Sequence, residues 1–368
     1  MNTRAFIACT GAGAGAQASL WQTPGCSAYL AGAAFPYAPD QLAAFLGFTP
    51  KRACSPETAL ELAMAAYLRA WSDPADDAIG IGLTAVVATA AVHRGDHRIH
   101  AAAVTSSGAW SIDLTLSKAS GAAARREDGE RADALVLALL DAARGGSDWS
   151  TVGATDATSF ARELFFQRPL FDEVDQRLSL DALGAGPIFP GAFNPPHPGH
   201  FGAANACEQA PTFMICASPP NKPALSLAEL LQRAKMLHGR RRAFTENDSF
   251  YIEKARRFPQ RAILIGADAL ERLLDERWGV PIVPMLKEFA ALGTRFLVFG
   301  RRMGDAFVGA TEVLEAASVP NDARALFVEI AGRWDASSTA LREAAAIASR
   351  HTAFQTARSS FGTERIDD

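Results

Sequence analysis

The sequence is poor in three things, each of which would announce a class of protein. It has only five cysteines in 368 residues, Cys9, Cys26, Cys54, Cys207 and Cys216. None has metal-ligand spacing, and an odd, scattered set builds no disulfide framework. That usage predicts a reducing, cytoplasmic compartment. It has no excess of positive charge: 36 Lys and Arg face 40 Asp and Glu, for a net charge of −4. The broad basic face of a nucleic-acid binder is therefore not expected. The local clusters Arg240-Arg241-Arg242 and Arg256-Arg257 read as solvated surface or anion contacts. Finally, it has no long apolar run. The longest uncharged one, Ala78 to Val92, is rich in Gly and Ala and too short to span a bilayer. No basic segment followed by an apolar stretch opens the chain, so no membrane partner is expected. What remains is ordinary: 49% hydrophobic and 21% charged residues describe a soluble globular protein, and the length predicts two domains.

The richest stretch is Gly191-Ala192-Phe193-Asn194-Pro195-Pro196-His197-Pro198-Gly199-His200. Apolar Pro187 to Pro190 precede it and helix-compatible residues follow. The pattern is strand, glycine turn, helix N-terminus, where free N–H groups and the helix dipole face an anion. Gly191 permits an unusual backbone angle or a close approach. Pro198 suits the first helical position, and Gly199 leaves the helix start uncovered. His197 and His200, three residues apart, are placed on one helix face and can donate to phosphate oxygens.

Further strand-to-helix turns follow. Thr212 to Ala217 leads into Ser218-Pro219-Pro220-Asn221-Lys222-Pro223, with Lys222 either on a phosphate or in solvent. Ser226 to Leu237 has helical spacing, with Leu227, Leu230, Leu231, Ala234 and Leu237 on its apolar side. Arg261 to Leu270 contains Gly266 and Asp268; Asp268 can cap the helix. Thr294 to Arg302 is a strand ending in cations. Asp335 to Arg342 opens a helix in which Ser337 or Ser338 is the cap and Thr339 and Arg342 share a face.

These motifs resemble the nucleotidyltransferases with the Gly-x-Phe-Asn/Asp-Pro-x-His-x-Gly-His signature, every fixed position of which is matched. The segment 335–342 resembles their second signature, Ser-Ser/Thr-Thr-x-x-Arg, and Gly266-Ala267-Asp268 their Gly-x-Asp. The resemblance implies catalytic roles for His197, His200 and Arg342. It implies nucleotide contacts for Gly191, Phe193, Asn194, Gly199, Lys222, Gly266, Asp268, Ser337, Ser338 and Thr339, with Asp268 on ribose hydroxyls. It implies no protein-held metal, with ATP as substrate and Mg²⁺ on its phosphates. The acceptor is implied to be a mononucleotide, nicotinamide or nicotinate mononucleotide above all. Pantetheine-phosphate adenylyltransferase and cytidylyltransferase are alternatives, and a non-catalytic nucleotide sensor is another. Trp278 fits either a contact near a pyridine ring or a core position.

The first half has its own pattern. Ala8-Cys9-Thr10-Gly11-Ala12-Gly13-Ala14-Gly15-Ala16 fits a tight packing site or a phosphate loop, but lacks the P-loop lysine. Ser55-Pro56-Glu57 opens a helix to about Trp71. Strands at His97 to Ala103 and Trp110 to Leu116 pair as a hairpin, which separates His97 from His100 and argues against a metal site with His93. Arg131 to Ala143 is a helix. Residues 4 to 145 resemble the CinA C-terminal domain, the nicotinamide-mononucleotide deamidase family. The resemblance rests on Cys9-Thr10-Gly11, Pro24-Gly25-Cys26-Ser27, Gly32, Tyr37, Leu46-Gly47 and Ser55-Pro56-Glu57-Thr58. That family's serine is here Ala8, its lysine falls on Leu42, and its Thr-Gly-x-Ala-Gly-Pro-Gly-Gly loop is Thr84 to Thr89. Cys9 is the one nearby nucleophile type, with no evident base. The domain is expected to be a degenerate relative without deamidase activity that pairs subunits or holds a nucleotide.

The expected architecture is α/β in two domains. A CinA-like domain spans 1–146, a linker 147–186, a doubly wound, Rossmann-like parallel-sheet nucleotidyltransferase domain 187–351, and a mobile tail 352–368. A cytoplasmic homo-oligomer, joined through the first domain, is expected.

Overall fold

The computed structural model describes residues 3–71, 77–90, 95–167, 184–219, 222–246, 248–275, 281–334, 338 and 340–344. It divides into two compact units. One holds residues 1–182 and 223–239, the other 183–222 and 240–368.

The first unit is built on a mixed sheet in the order β2-β1-β3-β4-β5-β6. Its strands are β1 (Thr3–Thr10), β2 (Leu30–Ala34), β3 (Asp77–Val86), β4 (Arg98–Thr105), β5 (Gly108–Thr115) and β6 (Thr155–Asp156). β1 runs parallel to β2 and β3, and the rest is antiparallel. Helix Pro56–Ala70 starts at Ser55, whose hydroxyl accepts from the Thr58 N–H. It lies directly on β3. A Cβ on Gly80 would stand 2.0 Å from the Ala63 carbonyl oxygen, and one on Gly82 2.2 Å from that of Ala59. The glycines of β3 and the alanines of the helix are thus one adaptation: backbones this close leave no room for larger groups. The helix read at 131–143 begins earlier, at Ala122. Its first turns, alanines followed by charged residues with Asp128 turned inward, carry no apolar period.

The stretch 147–167, read from sequence as part of a linker, carries helix Trp149–Val152, β6 and helix Thr158–Gln167, and β6 pairs with β5. Helix Leu227–Met236 also belongs to the first unit, although the sequence places it among the turns of the second half. Its apolar residues are buried as expected. Gln232 donates to the Tyr67 hydroxyl at 3.2 Å, and the Lys235 ammonium donates to the carbonyls of Leu68 and Trp71. Those carbonyls end helix Pro56–Ala70, where a cation offsets the dipole.

The second unit is a doubly wound sheet. Its strands are β7 (Ile188–Pro190), β8 (Thr212–Cys216), β9 (Arg242–Thr245), β10 (Ala262–Gly266), β11 (Arg295–Met303), β12 (Ala306–Val308) and β13 (Phe327–Arg333). From one edge the order is β9-β8-β7-β10-β11, all parallel; β13 continues it in parallel and β12 folds back on the end of β11. The chain starts at β7, winds outward to β9, then returns past β7 to β10. The crevice between β7 and β10 is therefore the topological switch point, where such sheets take ligands. Arg242, in a cluster read as solvated surface or an anion contact, is buried at the start of β9.

Candidate functional site

β7 ends at Pro190, at the switch point, and the chain turns there into helix Pro198–Asn205. The turn is shaped by aromatic packing. Phe193 is 1% exposed, with φ 44°, and its ring lies edge-on to Phe189, Phe213 and His200. A Cβ on Gly191 would stand 2.6 Å from that ring. Gly191 therefore serves a close approach, and the unusual backbone angle falls on Phe193 instead.

His197 is the N-cap rather than a helical residue, with extended φ −141° and ψ 168°, and Pro198 takes the first helical position. The His200 N–H donates to His197 Nδ1 at 3.3 Å, and the His197 N–H to His200 Nδ1 at 3.2 Å. The rings stack with centroids 3.7 Å apart. An Nδ1 that accepts leaves the proton of a neutral ring on Nε2. His197 Nε2 is buried with no hydrogen-bond partner among the described residues. Burial, then Arg301, lowers the His197 pKa; burial, then His197 and Arg301, lowers that of His200 from 6.5 to about 3. Both shifts favour the neutral ring, with the proton on Nε2.

The helix start is not uncovered. A Cβ on Gly199 would stand 3.2 Å from Trp334 Cβ, and one on Gly202 2.0 Å from Trp334 Nε1. Trp334 also meets Phe299 edge-on. Its role was not legible in the sequence, because a tryptophan just after a strand carries no spacing signal.

The second signature docks on this turn. Ser338 Oγ donates to the Pro195 carbonyl at 2.9 Å, and Arg342 donates to that of Asn194 at 2.5 Å. Ser337, Thr339 and Trp278 lie outside the described residues. Asp268 is in the first turn of helix Ala267–Leu273 but does not cap it; Gly266 holds that position. The carboxylate pairs with Arg272 at 3.1 Å and faces Arg301 Nε at 3.8 Å. A Cβ on Gly266 would stand 2.6 Å from Asp268 Oδ1, so this glycine makes room for the carboxylate. Arg301, noted in the sequence only as a strand-end cation, thus adjoins both the histidines and Asp268. Lys222 is exposed beyond β8.

Among the described residues no three His, Cys, Asp or Glu side chains form a metal cage. His100 Nδ1 instead lies 2.5 Å from Asp113, and His97 Nδ1 3.6 Å from Asp128.

In the first unit, the two positions where the resemblance implies a serine and a lysine are apolar core. Ala8 and Leu42 are buried in one cluster with Leu46, Leu62, Ala65 and Ala66. Cys9 is wholly buried, and burial pushes its thiol up to about 12. The glycine-rich run is a packing site. A Cβ on Gly11 would meet the Ala85 carbonyl oxygen at 2.1 Å, and the Ala16 N–H at the helix start donates to Asp133 at 2.9 Å. A carboxylate of the chain itself fills the place an anion would take.

A histidine-bearing helix start thus lies at the switch point of a parallel sheet, where such sheets take ligands. Residues 188–344, under half of the chain, match the family model described as cytidylyltransferase-like. The match falls in the second unit and spans its sheet from β7 to β13. No curated protein matches the chain. Among solved structures, the N-terminal part is similar to a CinA superfamily protein from Escherichia coli, at 14% identity and TM-score 0.30, over 38% of this chain and 79% of that one. It is also similar to a competence/damage-inducible protein from Agrobacterium tumefaciens, at 19% identity and TM-score 0.31, over 39% and 86%. A competence damage-inducible protein from Klebsiella pneumoniae matches at 14% identity and TM-score 0.25, over 38% and 84%. No helix among the described residues is long and apolar enough to cross a membrane.

Proposed function

We propose that the second unit transfers AMP from ATP to the 5′-phosphate of nicotinamide or nicotinate mononucleotide, releasing pyrophosphate. The observation that carries this reading is the stacked His197–His200 pair at the switch point, with Ser338 and Arg342 docked on the same turn. Transfer of this kind needs positioning and charge stabilisation more than covalent chemistry. The acceptor phosphate oxygen attacks the α-phosphorus, and the bond to pyrophosphate breaks with its electron pair on the leaving group. His197 and His200 donate to the phosphate oxygens as charge moves onto them, and Arg342 supplies a fixed cation. Mg²⁺ would enter on the triphosphate and neutralise its charge. Asp268, already held by Arg272, is placed to accept from ribose hydroxyls.

The choice of nicotinamide or nicotinate mononucleotide rests on the signature resemblance and on fusion to a CinA-like half. The cytidylyltransferase-like match supports a second reading, with CTP as donor. Pyrophosphate release should be measured with ATP or CTP against nicotinamide mononucleotide, nicotinate mononucleotide and phosphopantetheine. Turnover with ATP and a pyridine mononucleotide is expected. Turnover only with CTP selects the second reading, and nucleotide binding without turnover selects a sensor.

The first unit is proposed to be a pseudoenzyme half that pairs subunits or holds a nucleotide.

A further inference from the structure

Two reactants must share the crevice. The groups suited to the nucleotide, His197, His200, Asp268 and Arg301, come from the ends of β7, β10 and β11. In-line displacement needs the acceptor opposite the leaving pyrophosphate. The ends of β8 and β9, on the other side of β7, carry a polar cluster of their own; of the residues read as nucleotide contacts only Lys222, exposed beyond β8, lies on that side.

Cys216 and Thr245 are register partners and the last residues of β8 and β9. Ser249 Oγ donates to the Ser218 carbonyl at 2.7 Å and lies 3.5 Å from Cys216 Sγ, tying the turn after β9 to the turn after β8. Beneath this tie is Lys254, 3% exposed, in helix Tyr251–Arg257. Its ammonium donates to the carbonyls of Asp248, at 2.5 Å, and Ser249, at 3.2 Å. The Asp248 carboxylate itself pairs with Arg257 at 2.5 Å. Thr245, 1% exposed, adds a buried hydroxyl with no partner among the described residues.

A buried ammonium is costly to keep, so a lysine here must do what an apolar side chain of its size cannot. It draws two consecutive carbonyls inward and thereby aims the Ser249 hydroxyl across to Ser218. We propose that Lys254 is a positioning residue for the acceptor: it fixes the tied turns at the ends of β8 and β9 as the wall against which the acceptor mononucleotide is received. This rests on the transferase reading, and it adds the side of the crevice the acceptor uses and the residue that shapes it. Lys254 touches neither reactant. No sequence signal marks it, since a lysine in a short basic helix reads as surface.

The test uses the full chain and iodoacetamide, with alkylation of each cysteine followed by mass spectrometry. Lys254→Met keeps the volume and removes the donors. It is expected to speed Cys216 alkylation about tenfold, as the tie opens locally, and to leave the rates of Cys26 and Cys207 unchanged. With ATP and nicotinamide mononucleotide, it is expected to raise the acceptor KM about tenfold, the effect of losing charge-assisted hydrogen bonds that hold a wall, and to leave the ATP KM within about twofold. An unchanged Cys216 rate overturns the proposal. So does an equal rise of both KM values, or a fall in Tm with both KM values unchanged. Should Lys254→Met not fold, Ser249→Ala cuts the same tie at its other end and is expected to give the same split. In the wild type, nicotinamide mononucleotide should slow Cys216 alkylation and ATP alone should not; the reverse overturns the proposal. If the wild type turns over none of the acceptors, the transferase reading fails, while the alkylation rates still decide whether Lys254 holds the turns.

Discussion

His197 and His200 lie face to face, with ring centroids 3.7 Å apart and planes 23° off parallel, and each ring accepts the other residue's backbone N–H. Neither ring can turn without breaking a hydrogen bond, so both Nε2 donors are fixed before a nucleotide arrives. Losing one such donor costs roughly two to three orders of magnitude in turnover. His200→Ala is expected to show that loss in a pyrophosphate-release assay while keeping its far-ultraviolet circular dichroism. Wild-type turnover by the folded variant would remove His200 from the mechanism.

The same pair makes stability depend on pH. The folded pKa of His200, about 3, lies below the ordinary 6.5. As pH falls below 6.5 the unfolded chain takes up a proton that the folded one refuses, so stability is lost from 6.5 down toward 3 and is complete above it. His197 shifts in the same direction. Melting of the second unit should occur at lower temperature at pH 5 than at pH 7.5. His200→Gln should flatten that difference; an unchanged slope would mean the ring is not held neutral.

Arg342 joins the two signatures through the Asn194 carbonyl. A hydrogen bond from a charged donor contributes about 1.5–3 kcal/mol. Arg342→Ala is therefore expected to lower kcat/KM by about ten- to a hundredfold. Arg342→Lys should recover part of this, since it keeps the charge but not the planar fork. Steady-state kinetics with ATP varied would check this, and equal rates for all three proteins would count against the contact.

The first unit is expected not to release ammonia from nicotinamide mononucleotide in the absence of ATP. Ala8 and Leu42 supply neither nucleophile nor base, and a thiol with a pKa near 12 stays protonated. Sustained release, abolished by Cys9→Ala, would overturn this.

Lys235 holds the last carbonyls of helix Pro56–Ala70 from a segment far away in sequence. Lys235→Ala is expected to destabilise the first unit by about 1–2 kcal/mol, read as a drop in Tm. No change would mean that water replaces the ammonium without loss.

The parallel sheet and the turn after β7 were legible because their signals are local. Glycine, proline and histidine at fixed spacing describe one turn, and Ser55 marks a helix start by a cap that depends only on near neighbours. What escaped was set by partners distant in the chain. Trp334 is placed by the room left at Gly199 and Gly202, Lys254 by carbonyls it must reach underneath, and Asp133 by the helix start it fills. Helix Leu227–Met236 was read correctly as an element. Its buried face says only that it has a partner, and the partner proved to be in the first unit.

That helix has a consequence for how the protein can be divided. The chain passes from one unit to the other after residues 182, 222 and 239. Cutting once, between the halves, strands Leu227, Leu230 and Leu231 without the surface that buries them. A grafted or exchanged first half would have to bring two separate pieces of gene, the second placed between β8 and β9. Neither unit can therefore be exchanged whole at a single junction.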